Sequence, residues 1–495
     1  MSKLIIQNGN MCELDLPLKF AQKLYNEFAI RHPNAFYLRT RQRGMQNWDG
    51  KIHYITKTGQ FKIGLLPKVY DMCIEMGIKP KVVDMRQPLP KVSKVVTNIG
   101  KYKLRPEQEK AVKAVINNKI GNTPFHIGVL DYTVNAGKTL IMSSLYLSYK
   151  KQLKTLLITN DSDWLNQARE EFKQYLPGED ITFVQGKVLN WSNFTIGMVQ
   201  SISRNMRFYQ KELSQIDMVL IDEADQGGSK QYQNVITRLF NTRIRIGLSG
   251  TIYMSKLAKD RVKNMNLECF FGKVIAEFKL KDSIKKGYST KTVVKMVPGK
   301  PWYGNWESDC ISYKEIYDDS ITNCYTAWLM AYNRLLWNLN QGRYPALVVC
   351  KHIAHCENLY KFFKKKLGDA YNIAYVHVNT SSKLRQQIMK DFREGKIDIL
   401  VSTTIIARGK NFPKLKYLLN TASMDSQEKS IQFLGRLVRT DKSKKKVYLD
   451  DLHYPGPYLD RHGKHRKQYY QRQELKVILL DKLWKKHPNH SLIKS

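Results

Sequence analysis

The run Asp131-Tyr132-Thr133-Val134-Asn135-Ala136-Gly137-Lys138-Thr139 has the residue types that hold phosphate, and it lies between an apolar stretch (125–130) and a helical pattern (140–149). A strand that breaks at a small-residue turn and restarts as a helix aims several unpaired N–H groups at one point, where the helix dipole also favours negative charge. Lys138 is then placed to reach β- and γ-phosphates as a point charge, and the Thr139 hydroxyl to take one position on a Mg²⁺ ion. Only the end of the G-x-x-x-x-G-K-[ST] pattern is matched, because Tyr132 stands at its leading glycine. Taken alone, Gly137-Lys138-Thr139 fits a plain loop as well.

A second group of reactive types follows the apolar run 218–221, namely Asp222-Glu223-Ala224-Asp225. Ligands of open parallel sheets collect at the carboxyl ends of strands, so these acids are placed as a Walker B pair. Asp222 would hold Mg²⁺ through its water shell, and Glu223 would orient and deprotonate the attacking water. An acidic loop capping the next helix is the other reading, and the company of Lys138 weighs against it. The third group is Gln432-Phe433-Leu434-Gly435-Arg436-Leu437-Val438-Arg439. Arg436 and Arg439 lie three apart, which predicts one helix face. Two guanidinium groups aimed at a triphosphate would offset the charge that builds on the γ-phosphoryl oxygens.

Positioning these groups requires parallel sheets. From residue 102 apolar strands alternate with amphipathic helices, which predicts a sheet covered on both faces. The first series runs helix 107–117, strand 125–130, helix, strand 155–159, helix 164–175, strands 181–184, 195–199 and 218–221, helix 230–240 and strand 245–248, with 270–281 closing it. A mixed stretch with a helix at 325–339 precedes the second series: strand 346–350, helix 355–366, strand 373–377, helix 382–393, strands 397–402 and 417–420, helix 429–437 and strand 446–450. The expected division is 1–95, a small basic α+β domain; 96–281 and 282–451, two tandem α/β domains; and 452–495, a basic tail with a helix at about 468–486. In the first part a helix is expected at 17–30. The pair Asp49-Gly50 reads as a hairpin turn between two strand-like segments. Alternation there would put Arg39, Arg41 and Arg43 on one strand face near aromatic residues, Trp48 among them, which suits a phosphate backbone and splayed bases. A solvated strand face is the equal alternative. For the tail helix, docking on the second α/β unit is preferred and nucleic-acid contact is the alternative.

Composition narrows the partner. Lys and Arg number 82 against 43 Asp and Glu, a net charge of +39 over 495 residues, which predicts a polyanion and by default nucleic acid. An anionic membrane competes, but no stretch approaches the ~18 apolar residues of a span. The first residues carry too short an apolar run for a secretory signal, so a cytoplasmic protein is expected. Cys12, Cys73, Cys269, Cys310, Cys324, Cys350 and Cys356 form an odd set without C-x-x-C pairs, which argues for reduced thiols and against zinc.

The ordered series resembles the superfamily 2 helicases and translocases over residues 102–450. Arg105-Pro106-Glu107-Gln108 looks like the R-x-x-Q element, in which Gln108 would read adenine. Residues 156–163, with Asn160, resemble motif Ia; 195–201, ending in Gln200 and Ser201, resemble the next contact with a nucleic-acid strand; and Ser249-Gly250-Thr251 matches motif III, which couples the two sites. Residues 348–352, with Lys351 and His352, resemble motif IV. Ser402-Thr403-Thr404 through Arg408-Gly409-Lys410 resembles motif V, with Thr403 and Arg408 on the strand and Gly409 toward the nucleotide. Gln432 to Arg439 resembles motif VI. Tyr132 and Asn135 depart from the usual motif I. The resemblance implies two tandem RecA-like domains binding ATP and Mg²⁺. The Arg-Pro-x-Gln element looks like the DNA-remodelling branch and not the DEAD-box RNA helicases. Asn47-Trp48-Asp49-Gly50-Lys51-Ile52, followed by Gly64-Leu65-Leu66-Pro67, is similar to the N-terminal domain of phage UvsW-type helicases. That likeness implies an ATP-dependent enzyme, expected as a monomer in the infected bacterial cell, that unwinds or branch-migrates forks, displacement loops and four-way junctions. An RNA helicase, or a non-catalytic junction-binding or annealing protein with a decayed phosphate loop, are the alternatives.

Overall fold

The computed structural model describes residues 2–41, 45–149, 152–188, 191–252, 260–299, 312–404 and 412–480. Arg43, Arg408 and Gly409 lie outside the described residues. The chain divides into two compact units, Met1–Phe278 and Lys279–Ser495.

The first unit begins with β1 (Lys3–Ile6), β2 (Met11–Asp15), α1 (Leu18–Glu27), β3 (Ala29–Arg31), α2 (Ala35–Arg41), β4 (Lys51–His53), β5 (Gln60–Lys62), α3 (Leu66–Glu75) and β6 (Lys81–Asp84). Four of these strands form a mixed sheet in the order β5-β2-β1-β6, and β3 pairs with β4 in a separate ribbon. Gly50 does turn at φ 77°, but the strand that pairs across it is β3, and Arg39 and Arg41 stand on a helix. The expected arginine-bearing strand is therefore corrected. On a helix Tyr37 and Arg41 are four apart, and the Arg41 guanidinium lies 4.8 Å from the Tyr37 ring. Helix α1 also stops at Glu27, short of the expected 30, because the next residues are taken by β3.

Two short hairpins follow, β7 (Asn98–Ile99) with β8 (Tyr102–Lys103) and, after α4 (Pro106–Ile116), β9 (Lys119–Ile120) with β10 (Thr123–Pro124). The main sheet is built from β11 (His126–Tyr132), α5 (Lys138–Ser148), β12 (Thr155–Thr159), α6 (Ser162–Tyr175), β13 (Ile181–Val184), β14 (Phe194–Met198), α7 (Val199–Arg204), α8 (Gln210–Ser214), β15 (Met218–Asp222), α9 (Lys230–Ile236), β16 (Ile244–Ser249), α10 (Arg261–Phe271) and β17 (Val274–Phe278). Its order is β13-β14-β12-β15-β16-β11-β17, all parallel. All residues of β11, β12, β15 and β16 are buried, as helices on both faces require.

The small sheet is fused to this one. Leu4, Ile6 and Val69 share an apolar core with Phe125, Ile127 and Phe271. The fully buried Arg245 of β16 donates to Gly9 O at 2.6 Å, Asn10 Oδ1 at 2.7 Å and Phe270 O at 3.2 Å. A Cβ on Gly9 would sit 2.6 Å from Leu239 O and 2.8 Å from Phe240 O and Thr242 O, so the backbones meet where only glycine fits. Gly9→Ala is expected to cost about 1–3 kcal/mol. Differential scanning calorimetry should show a drop in Tm of roughly 2–4 °C per kcal/mol.

The second unit contains α11 (Leu280–Lys285), β18 (Lys291–Pro298), α12 (Tyr313–Tyr317), α13 (Tyr325–Leu339), β19 (Ala346–Cys350), α14 (Ile353–Leu367), β20 (Ile373–Val376), α15 (Ser382–Glu394), β21 (Ile399–Thr403), β22 (Tyr417–Asn420), α16 (Gln427–Leu437), β23 (Lys446–His453), α17 (Leu459–Arg472) and β24 (Val477–Leu479). Its parallel sheet has the order β20-β21-β19-β22-β23-β18-β24. Counted from the first strand of each, the two sheets are wound alike, so β12 corresponds to β19, β14 to β21 and β15 to β22. The tail differs from expectation: its helix is Leu459–Arg472, and residues within the expected 468–486 helix instead add edge strand β24. Helix α17 is held by Arg466, which is fully buried and bridges Asp451 at 2.8 Å. Among the described residues, no helix is long and apolar enough to cross a membrane.

Candidate active site

The phosphate-type loop leaves the carboxyl end of β11 and enters α5 with Gly137 as N-cap, in the left-handed region at φ 71°. Asn135 is also left-handed at φ 63°, a conformation that asparagine adopts more readily than most side chains. Tyr132, at the leading-glycine position, is buried in the sheet: its hydroxyl donates to Glu107 O at 2.8 Å and its ring packs on Phe278. It anchors the strand to α4 and leaves the loop free to turn after it. Gln108 braces the loop from behind, with its amide donating to Ala136 O at 2.8 Å and its carbonyl accepting from Arg105 N at 2.8 Å. A Cβ on Gly137 would collide with that amide. In this conformation Gln108 serves the loop, and the Arg105 guanidinium reaches Asn135 O at 3.5 Å.

The strand ends beside this loop bring the acids together. Asp131 is in register with Ser249, and Asp222 with Leu248, so the ends of β11, β16 and β15 lie side by side. Ser249 Oγ donates to Asp225 Oδ1 at 2.7 Å and accepts from Thr251 N at 3.1 Å. A Cβ on Gly250 would lie 3.0 Å from Thr133 Cα, so this turn touches the phosphate-type loop on one side and an acid on the other. Asp222 is buried and its Oδ1 has no hydrogen-bond partner. Burial pushes its carboxyl above the usual range, against the pull of the Lys138 ammonium. Glu223, left-handed at φ 52°, is pushed up to about 8 by burial and then by Asp222, Asp225 and Asp161. A left-handed glutamate costs of order 1–3 kcal/mol. Among the described residues, burial and the repulsion of these acids outweigh the pull of the Lys138 ammonium on Glu223.

Both side-chain polar atoms of Asn135 are buried without partners, as is Thr133 Oγ1. Orphaned polar atoms around a glycine cradle, opposite an unpartnered carboxylate oxygen, fit a phosphate ligand carrying a divalent cation. Lys138 and Thr139 open α5, where a helix start leaves N–H groups unpaired, and the N–H groups of Leu140 and Ile141 already turn to Gly137 O at 3.0 and 3.3 Å. Among the described residues no cluster of three or more His, Cys, Asp or Glu side chains could hold a metal alone. Mg²⁺ is usually held by one or two carboxylates together with phosphate oxygens, so Asp222 and Thr139 would suffice. Asp161 and Asp225 were not anticipated as members of the site; Asp225 was visible in the tetrad, whereas Asp161 is recognisable only once β12 is placed beside β15.

The expected strand contacts sit at the same sheet edge. Gln200 donates to Asn160 O at 3.3 Å, tying the loops after β12 and β14, while Asn160 Oδ1 and Gln200 Oε1 are buried and unpartnered. Ser201 Oγ instead accepts from Gly186 N at 2.9 Å. Trp48 donates to Lys51 O at 2.9 Å, closing its own turn.

In the second unit Lys351 follows β19 and lies 3.9 Å from the Tyr313 ring centroid. Burial lowers its pKa, and Lys429 of α16 pushes the same way. Lys429 reaches Thr404 Oγ1 at 3.5 Å, next to the buried Thr403. Two lysines crowded at one strand end suit a phosphate, and Lys429 was not anticipated. His352 caps α14, its Nε2 buried without a partner, and burial lowers its pKa. Gln432 and Arg436 are on α16. That helix ends at Leu437 with Val438 as its C-cap, so Arg439 departs on the following chain, and the expected single helix face for both arginines is corrected. The backbone there is fixed by Thr290, which donates to Val438 O at 2.7 Å and Arg439 O at 3.1 Å.

Residues 101–254 match the family described as "Type III restriction enzyme, res subunit", and residues 329–441 match "Helicase conserved C-terminal domain". The chain is a superfamily 2 helicase. Relatives of this helicase include "Putative helicase 22" of Sulfolobus islandicus filamentous virus, 22% identical over 71% of this chain, which spans 64% of that relative. The "ATP-dependent DNA helicase uvsW" of Enterobacteria phage T4 is 22% identical over 82% of each chain. The solved "ATP-dependent Type ISP restriction-modification enzyme LlaBIII bound to DNA" shares the fold at a TM-score of 0.56 and 14% identity, over 81% of the helicase and 33% of that chain. The R-x-x-Q, phosphate-loop, Asp222-Glu223 and Ser249-Gly250-Thr251 elements of the helicase all fall within its first matched region.

Proposed function

We propose that this helicase couples ATP hydrolysis to movement on DNA, unwinding or branch-migrating forked and four-way substrates. The observation that carries the ATP-dependent part is the buried acid group, Asp222 and Glu223 with Asp161 and Asp225, gathered beside Lys138 at the end of one parallel sheet. Lys138 and the N–H groups of α5 bind the phosphates, Asn135 offers its amide to them, and Asp222 with Thr139 would hold Mg²⁺. When bound, the ion neutralises phosphate charge. Glu223 takes the proton of the attacking water; on the second unit Arg436, Arg439 and Gln432 have the residue types that would offset γ-phosphoryl charge and orient a nucleotide. Ser249, Gly250 and Thr251 relay the change to Asn160, Gln200 and Ser201, and Lys351, His352 and Thr403 hold the strand on the second unit.

The likeness to the phage T4 DNA helicase across most of both chains supports a DNA substrate. So does α2, where Phe36 is 80% and Tyr37 53% exposed beside Arg39 and Arg41, a surface for duplex arms.

The decisive experiment measures ATP hydrolysis and strand displacement on forked, four-way and single-stranded DNA and on RNA. Hydrolysis should be stimulated most by DNA, displacement should favour branched forms, and Lys138→Ala should lose hydrolysis by at least ~10²-fold. No hydrolysis with any polynucleotide would end the motor reading, and stimulation by RNA alone would move the substrate class.

A further inference from the structure

The amino edge of the second unit's sheet, opposite the strand ends that carry its helicase elements, bears a cluster of cations around exposed aromatic rings. Trp337, near the end of α13, is 41% exposed. Lys295 Nζ lies 4.7 Å from its ring centroid, Arg343 Cζ 4.8 Å and Arg334 Cζ 5.0 Å. Arg343 also covers the Tyr448 ring at 3.6 Å. Among the described residues one carboxylate answers these three cations: Asp450, which is buried and bound to Arg334 at 2.6 Å.

The cations continue along the edge. Arg343 and Tyr344 precede β19, Lys416 precedes β22, Lys446 opens β23 and Lys291 opens β18, and these four strands are neighbours in the sheet. Lys291 and Lys446 are direct register partners. Like charges set side by side on neighbouring strands are unfavourable, so their placement costs stability. Lys416 reaches over the Tyr344 ring at 5.8 Å, and Tyr344 is itself 41% exposed. Nearby acids are engaged locally: Asp398 accepts from Asn372 N at 2.9 Å, and Asp441 from Ser443 N at 2.8 Å. A row of cations without an ion pair among the described residues, interleaved with exposed rings, has the chemistry of a nucleic-acid platform, with phosphates on the cations and bases or sugars on the rings.

We propose that this edge binds a second segment of the nucleic-acid substrate, one strand laid across β19, β22, β23 and β18 with a base against Trp337 or Tyr344. The inference rests on the nucleic-acid reading above but not on the motor. Ligands of open parallel sheets gather at carboxyl ends, so an amino-edge platform is separate from the strand tracked during turnover. It would let one protein hold two arms of a branched substrate.

The test titrates full-length protein against fluorescein-labelled forked DNA without nucleotide, at several salt concentrations. Lys416→Glu with Lys446→Glu should weaken binding by at least about tenfold and reduce the salt slope by about 1.4, since each phosphate contact with a single strand contributes ~0.7. Trp337→Ala should weaken it by roughly 5–100-fold, the range of one base–aromatic stack. At saturating single-stranded DNA the rate of ATP hydrolysis should be unchanged in each. Lys446→Glu places an acid beside Lys291, so the melting temperature should hold or rise, and a retained melt with unchanged affinity and salt slope overturns the proposal. Should Trp337→Ala melt early, Lys446→Glu alone decides by the same readout. If the unmodified protein binds forked DNA through this edge yet hydrolyses no ATP, the motor reading falls and this surface stands.

Discussion

Glu223→Gln is expected to lower the turnover of ATP by about 10²–10⁴-fold, the contribution of a positioned general base, while raising the melting temperature of the ligand-free protein at pH 8.5. Both halves follow from one arrangement. Burial and three neighbouring acids push the Glu223 carboxyl up to about 8, well above its ordinary value, so the folded chain retains a proton that the unfolded chain releases. Because the folded state binds the extra proton, stability is greatest below the ordinary carboxylate range, falls as pH rises through the window up to about 8, and is flat above it. Glutamine cannot ionise and escapes that loss. The gain in Tm should therefore be near zero at pH 4.5, grow with pH and level off above pH 8. For kcat/KM, which reports the free protein, an acid limb with an apparent pKa near 8 should be present in the native protein and absent from the residual activity of the variant. Calorimetry across pH 4.5–9 beside a phosphate-release assay gives both readouts. A variant that hydrolyses ATP at the native rate would remove Glu223 from the chemistry. One that melts lower than the native protein at pH 8.5 would show that the acids are not in electrostatic conflict.

That conflict is one that a divalent cation and phosphates would relieve. The left-handed Glu223, the orphaned Asn135 amide and the unpartnered Asp222 oxygen are costs placed where a ligand would offset them. The same logic explains why Tyr132 can stand at the leading glycine of the phosphate loop: the strand end is fixed through Glu107 and Phe278, and the left-handed turns come later, at Asn135 and Gly137.

What the sequence revealed depended on how local the governing forces were. Strands β15, β19 and β22 were legible almost to the residue because buried parallel strands read as continuous apolar runs. The stretch 36–43 alternates in a way that imitates a strand, yet its described part is helix α2, because β4 is already paired with β3 and the Tyr37–Arg41 contact needs helical spacing. Strand β18 escaped notice because its neighbours β23 and β24 come more than a hundred residues later, and nothing local marks it. Lys138, Asp222 and Glu223 were recognisable from type and spacing, whereas Asp161 joins their cluster, and Lys429 that of Lys351 on the second unit, only through the order of strands. The repeated winding of the two sheets adds a reason for the strand contacts: Asn160 and Lys351 follow equivalent strands, as do Gln200 and Thr404. Sequence alone offers no such alignment.

Arg466→Ala is expected to destabilise the second unit by about 3–5 kcal/mol, the cost of breaking a buried ion pair by removing one partner. From the sequence the basic tail, with a helix expected at about 468–486, invited two readings, packing on the second unit or nucleic-acid contact; Arg466 lies on α17, and the geometry favours packing at this position. Arg466 is fully buried, its Nε lies 2.9 Å from Asp451 Oδ1, and its other nitrogens donate to Met424 O at 2.9 Å and Leu452 O at 3.0 Å. Asp451 is equally buried and also accepts from Tyr470 at 2.7 Å and Asn420 at 2.9 Å. Alanine would leave that carboxylate without its cation and two main-chain oxygens without donors, so Tm should fall by roughly 10 °C at ~2–4 °C per kcal/mol. A double change, Arg466→Met with Asp451→Leu, removes both charges and should recover much of the loss, since paired removal leaves no buried ion. Forked-DNA affinity measured well below the melt should be unaltered. If instead Arg466→Ala melted like the native protein and bound DNA weakly, the basic face of α17 would be a nucleic-acid surface after all. The remaining exposed cations of that helix, Lys464 and Arg472 among them, could then be assigned to the same partner.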